Sequence, residues 1–283
     1  MDITFNHNLK ILDNPFTDSV NMQNLRIYGN PPYSIALLHG GPGAPGYMAP
    51  VAKELAKDRG VLEPLQTATS LEGQIQELKD VLEKNASLPV TLVGHSWGAM
   101  LGYMFAAIHP ALTRKLIMVS SGVFEPLYTL EIMAARLGRL SEEERTEVRE
   151  LSQALDDPMV AQKNAPFARM GALIFKADSF DPITNDLEVI ENQYDMIKAV
   201  WPEVEDLRAD GDLVKLGQAI KCPVVAIHGD YDPHPPDGVQ RPLSRVLKDF
   251  RFIMLKDCGH YPWLERKARD GFYEILKNEL NAR

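Results

Sequence analysis

Apolar residues along this chain gather into short unbroken runs, and between the runs they recur at helical spacing. The runs at 35–38, 61–62, 90–93, 116–119, 224–227 and 252–255 read as strands covered on both faces, which predicts a mostly parallel sheet. Residues 9–12 and 25–28 read as edge strands. Leu71, Ile75, Leu78 and Leu82 follow the cap candidate Ser70 at helical spacing, and 97–108 and 263–280 read as further helices. The fold class is therefore α/β.

From about residue 124 to 216 the alternation stops, leaving helix-like stretches and no strand. Ser141-Glu142-Glu143-Glu144 is a capping-box start, and Asp157-Pro158 and Asp181-Pro182 mark turns or helix entries. The expected organisation is a core from 1–123 and 217–283 with a helical cap over 124–216. Such sheets carry their sites at the carboxyl ends of the strands, so the cap is expected above them. Phe167, Phe175, Tyr194, Trp201 and the methionines 133, 170 and 196 are candidates for an apolar underside. Packing within the cap accounts for most of them equally well.

Four of the strand runs end in chemistry. Gly94-His95-Ser96-Trp97-Gly98 joins a strand to a helix, so Ser96 sits on a sharp turn with its hydroxyl thrust outward, the arrangement of a nucleophile elbow. Glycine is needed at 94 and 98 because strand and helix approach too closely there for side chains. The strand at 35–38 empties into His39-Gly40-Gly41-Pro42-Gly43, a loop whose bare backbone can face a developing oxyanion. Pro42 has no N–H, so the amides of Gly41 and Trp97 are the expected donors. Downstream, the strand at 224–227 leads to Asp230 and Asp232, and the strand at 252–255 leads to Asp257 and His260. The order serine, acid, histidine suits a general base at His260 whose tautomer is fixed by a carboxylate.

Asp232 is chosen for that carboxylate because the third or fourth residue past the strand end reaches over the sheet edge. Asp230 is expected to bond its own turn, and Asp257 is too local to His260 to hold the ring across the elbow. His39, His95 and His228 stand at strand ends, to line the pocket or, the better reading, to brace it. His7, His109 and His234 read as surface or turn residues.

These motifs resemble the α/β-hydrolases of the prolyl aminopeptidase (proline iminopeptidase) group, over about residues 33–120 and 222–265. The His39–Gly43 and Gly94–Gly98 motifs match that group closely, Trp97 is typical of it, and Tyr231-Asp232 and Gly259-His260 fit. The resemblance implies Ser96, Asp232 and His260 as a catalytic triad. It also implies a role for Ile190-Glu191-Asn192-Gln193-Tyr194, similar to a cap segment whose glutamate holds the substrate's free ammonium. Glu191 is thus the candidate amine anchor, with His39 and Tyr194 beside the substrate. A second acid would come from Glu203, Glu205, Asp210 or Asp212. The chain departs from the group after its first helix, where a glycine-rich turn is replaced by Arg59-Gly60-Val61-Leu62-Glu63-Pro64-Leu65-Gln66-Thr67. Asp230 also stands where the group often has arginine. An esterase pocket, or a ligand-binding protein that keeps the triad without turnover, fits the same motifs.

The resemblance implies a small-molecule or short-peptide substrate, and composition argues against other partners. With Lys+Arg 30 against Asp+Glu 39 the net charge is −9, which disfavours a nucleic-acid groove or an anionic membrane surface. Two cysteines, Cys222 and Cys258, make no disulfide scaffold and read as packing residues. No run approaches the roughly 18 apolar residues of a membrane span, and the first residues lack a secretory signal pattern, so the expected location is the cytoplasm. His228, Asp230, Asp232 and His234 alternate without converging as metal ligands, and no cofactor is implied. Nothing in the sequence fixes an oligomeric state.

Overall fold

In the computed structural model, residues 24–183 and 194–282 are described. Among them, Leu25–Tyr28 (β1), Tyr33–Leu38 (β2), Gly60–Pro64 (β3), Val90–His95 (β4), Thr113–Val119 (β5), Val224–Gly229 (β6) and Phe250–Leu255 (β7) form one sheet in the order β1-β3-β2-β4-β5-β6-β7. Every neighbouring pair is parallel except β1 with β3. The edge strand read at 9–12 lies outside the described residues.

Side chains along a strand alternate between two separate apolar layers. Ala36 and Leu38 face one layer with Leu71–Asn85 (α2), Trp97–Ile108 (α3) and Asp237–Val246 (α9). Ile35 and Leu37 face the other, with Ala49–Leu55 (α1) and Arg269–Asn281 (α10). That two-sided burial is why these strands read as unbroken apolar runs. The α2 helix begins as its sequence predicts, with the Ser70 hydroxyl accepting the Gly73 amide at 3.1 Å.

The C-terminal helix starts later than the sequence pattern implies. Pro262–Leu264 forms a short 3-10 turn and Glu265 is extended, so α10 begins only at Arg269. Between β5 and β6 the chain forms Thr129–Gly138 (α4), Glu142–Asp156 (α5), Asn164–Asp178 (α6), Tyr194–Ala209 (α7) and Asp212–Lys215 (α8). The Ser141–Glu144 capping box is present at α5. Leu140, Val148, Leu173 and Ala177 make a small core of their own, whereas Met196, Val200 and Val204 of α7 join the layer against α3. Met196 is therefore core, and Met133 is exposed. No helix among the described residues is long and apolar enough to cross a membrane.

Candidate active site

Ser96 occupies a backbone conformation that side chains seldom adopt, φ 52° and ψ −114°, between β4 and α3. Such a residue costs about 1–3 kcal/mol and persists only where its surroundings impose it. The surroundings here are tight backbone contacts. A Cβ on Gly94 would come 2.2 Å from the Gly98 carbonyl oxygen, and one on Gly98 would come 2.2 Å from that of Leu38. The Ser96 amide is anchored to the Val119 carbonyl at 3.0 Å.

The glycine loop after β2 comes up against this turn. A Cβ on Gly40 would lie 3.0 Å from His95 Nδ1 and 3.4 Å from Ser96 Cβ, and Gly41 has φ 111°. Among the described residues, no acceptor takes the amide of Gly41 or of Trp97. The Trp97 ring is buried and fixed, its Nε1–H donating to Gln74 Oε1 at 3.0 Å.

Asp232 and His260 meet at the ends of β6 and β7. His260 Nδ1–H donates to Asp232 Oδ2 at 2.8 Å, and both residues are buried. The other carboxylate oxygen accepts two bonds from His234, from its amide at 2.9 Å and its Nδ1–H at 2.8 Å. Burial alone would raise the Asp232 carboxyl, but the imidazoles of His260, His228 and His234 outweigh it and hold the carboxyl well below the usual range. Burial pushes His234 down to about 4, so its ring is neutral near pH 7 and serves as a donor. No hydrogen bond joins the Ser96 hydroxyl to His260 among the described residues.

Two further histidines hold this arrangement by its backbone. His95 Nε2–H donates to the His260 carbonyl at 2.9 Å, and His228 Nε2–H donates to the His234 carbonyl at 2.8 Å. Burial, and then the nearby charge of His260, keep His95 far below its ordinary value and hence neutral. His39 is fully buried with both nitrogens on backbone, Nδ1–H to Gly40 O at 2.8 Å and Nε2 accepting from Gln66 N–H at 3.3 Å. It braces the loop and has no ring nitrogen left for a substrate. Gln66 belongs to the segment that replaces the group's glycine-rich turn.

Other sequence expectations need correction. His234 is no surface residue: it bonds Asp232 and stacks on His260. Asp230 does not bond its own turn, but accepts the Cys258 amide of the histidine loop at 3.2 Å. Tyr194 donates its hydroxyl to Leu155 O at 2.9 Å and sets its ring against Phe167, which ties it into the inserted helices. Glu191 lies outside the described residues. Of the acids considered as its companion, Glu203 accepts the Leu71 amide at the start of α2, Glu205 takes Trp201 Nε1–H, and Asp212 pairs with Lys215.

Several site neighbours carry no local sequence signal. Tyr261 sets its ring edge-on to His260, 5.1 Å between centroids, and packs with Tyr47 and with Phe175 of α6. Arg136 of α4 forms a two-bond pair with Asp178, 2.8 and 2.7 Å. Asp232, His234 and His260 also place possible ligand atoms within 4.8 Å of one another. Both imidazoles aim an Nδ1–H at the carboxylate, so in this arrangement those two nitrogens act as donors.

A family model described as the alpha/beta hydrolase family matches residues 35–273. The chain belongs to that family. It is 29% identical over 282 positions to a proline iminopeptidase of Heyndrickxia coagulans, covering 88% of this chain and 90% of that one. Among solved structures it is similar to VinJ, with a TM-score of 0.63 at 20% identity over 90% of this chain and 93% of that one. It is also similar to the enol-lactonase of Burkholderia xenovorans, with a TM-score of 0.58 at 19% identity over 92% and 96%. This hydrolase thus shares its frame with proteins named for amide and for ester substrates.

Proposed function

We propose that this hydrolase cleaves an acyl bond through a covalent intermediate on Ser96. The strained elbow backed by the Asp232–His260 pair is the observation that carries this reading. Ser96 Oγ attacks the acyl carbonyl while His260 Nε2 takes its proton, and the His260 Nδ1–H bond to Asp232 keeps that nitrogen free for the task. The oxyanion is received by the amides of Trp97 and Gly41. Collapse of the tetrahedral species sends the proton from His260 to the leaving group and leaves an acyl-enzyme, which water resolves by the reverse sequence. The Ser96–His260 hydrogen bond forms when substrate fills the site, since such bonds are often long or absent in empty enzymes. The inserted helices act as the cap, and the cytoplasm is the working location.

The first substrate reading is an aminopeptidase of the proline iminopeptidase kind, supported by a relative so named that spans most of the chain. Hydrolysis of a small ester or lactone is the second reading. It is favoured by Glu203, Glu205 and Asp212, which are engaged by the Leu71 amide, Trp201 and Lys215.

Labelling with a fluorophosphonate probe and turnover of proline 4-nitroanilide against short 4-nitrophenyl esters test both levels. Labelling lost in Ser96→Ala is expected; labelling that persists there would overturn the nucleophile. A protein that binds acyl ligands but neither labels nor turns over would be a receptor. Cleavage of esters alone, indifferent to Glu191→Gln, would remove the peptidase reading.

A further inference from the structure

Glu265 is 1% exposed, and no cation pairs with it among the described residues. Its charge is met by backbone amides from two separate segments. Oε1 accepts from Phe180 at 2.8 Å and from Gly259 at 3.0 Å, and Oε2 accepts from Asp181 at 2.7 Å. Around it, the stretch leaving α6 lies along the histidine loop. His260 N–H donates to the Asp178 carbonyl at 2.8 Å, Ile183 N–H to Leu264 O at 2.7 Å, and Arg266 N–H to Asp181 O at 2.9 Å. The fit leaves no slack at Gly259, where a Cβ would come 2.2 Å from the Asp178 oxygen and 2.5 Å from Glu265 Oε1. On its far side Asp178 is held by Arg136 of α4.

A buried carboxylate is a poor choice for stability alone, because desolvating it costs more than burying an apolar side chain. What the carboxylate supplies is an acceptor with enough lone pairs to fix two backbones at once. We infer that Glu265 is a positioning residue for His260, and that it acts by fastening the end of an inserted helix to the loop that carries the imidazole. The inference rests on the reading of His260 as the general base. It makes the inserted helices part of the support for that base, so that disturbing them disturbs proton transfer as well as substrate entry.

Glu265→Gln keeps the shape but turns an NH2 toward one of the amides. It is expected to lower kcat about 10- to 100-fold with KM changed far less, because a misplacement of roughly 1 Å suffices for such a loss. Fluorophosphonate labelling of Ser96 should slow in step, and the amides of Phe180, Asp181, Gly259 and His260 should lose hydrogen-exchange protection while β4 keeps its own. Unchanged kcat and labelling with those amides unprotected would overturn the positioning role. In the wild-type protein the four amides should exchange as one group; four unrelated rates would overturn it even if the variant does not fold. His260→Ala separates the two readings. Activity kept there overturns the general-base assignment itself, whereas activity lost there but kept in Glu265→Gln overturns the positioning role alone.

Discussion

The His234 ring lies on the His260 ring, centroids 4.7 Å apart and planes 29° apart, and the two imidazoles donate to opposite oxygens of Asp232. One carboxylate therefore divides its acceptor strength between a ring proposed to shuttle protons and a ring that stays neutral.

His234→Phe retains a flat ring in the stack and removes the side-chain donor. With that bond gone, Asp232 bears more charge toward His260 and favours its protonated form. The acid limb of the kcat/KM profile should move to higher pH, so activity falls more at pH 6 than at pH 8. A limb that stays put, or moves down, counts against the shared-carboxylate account.

The two aspartates after β6 should differ sharply. Asp232→Asn leaves the imidazole without its anionic partner and is expected to cost about 10³- to 10⁴-fold in kcat. Asp230→Asn loses only part of an acceptor for the Cys258 amide and should stay within about tenfold. Steady-state kinetics on one ester substrate decides it, and equal losses would leave the acid unassigned.

Glycine replacements test the elbow against a matched control. Gly98→Ala drives a Cβ into the Leu38 carbonyl and should cost several kcal/mol or prevent folding. Gly171, inside α6, has nothing within 4 Å of its added Cβ. Gly171→Ala should therefore stabilise by about 0.5–1 kcal/mol through helix propensity. Thermal melts that rank the two variants the other way would refute the packing argument.

Stability should fall on mild acidification. Burial holds His39 and His234 at about 4, against 6.5 in an unfolded chain. Between those values the unfolded chain binds more protons than the native one, so the stabilisation is whole above about pH 6.5 and is lost as pH falls toward 4. The loss should reach on the order of several kcal/mol by pH 4. Urea midpoints across that range would expose a flat profile, and His39→Gln should lessen the slope.

Local demands were legible in the sequence, and long-range ones were not. The elbow showed because Gly94 and Gly98 answer to a turn within a few residues, and Asp232 showed because its distance past a strand end sets its reach. His234 carries no such mark: it is covered by the His260 ring, which arrives from the loop after another strand. Glu265 was hidden inside an apparently helical stretch, since the amides it gathers come partly from a segment far earlier in the chain. Arg136 and Asp178 meet only once α4 and α6 have packed. The bond from the Tyr194 hydroxyl to the Leu155 carbonyl joins α7 to the end of α5, a partnership that no local pattern announces.

The strands β5 and β6 are hydrogen-bonded neighbours, although the chain travels through α4 to α8 to pass from one to the other. An excursion that departs and returns at adjoining sockets asks nothing of the spacing beneath it. Insertions of other lengths could join the same two strands, provided that they return an apolar face like Met196, Val200 and Val204 of α7 to the layer against α3. Such an insertion must also deliver a stretch like 178–181 to Glu265, which makes that carboxylate the docking key for any chimera.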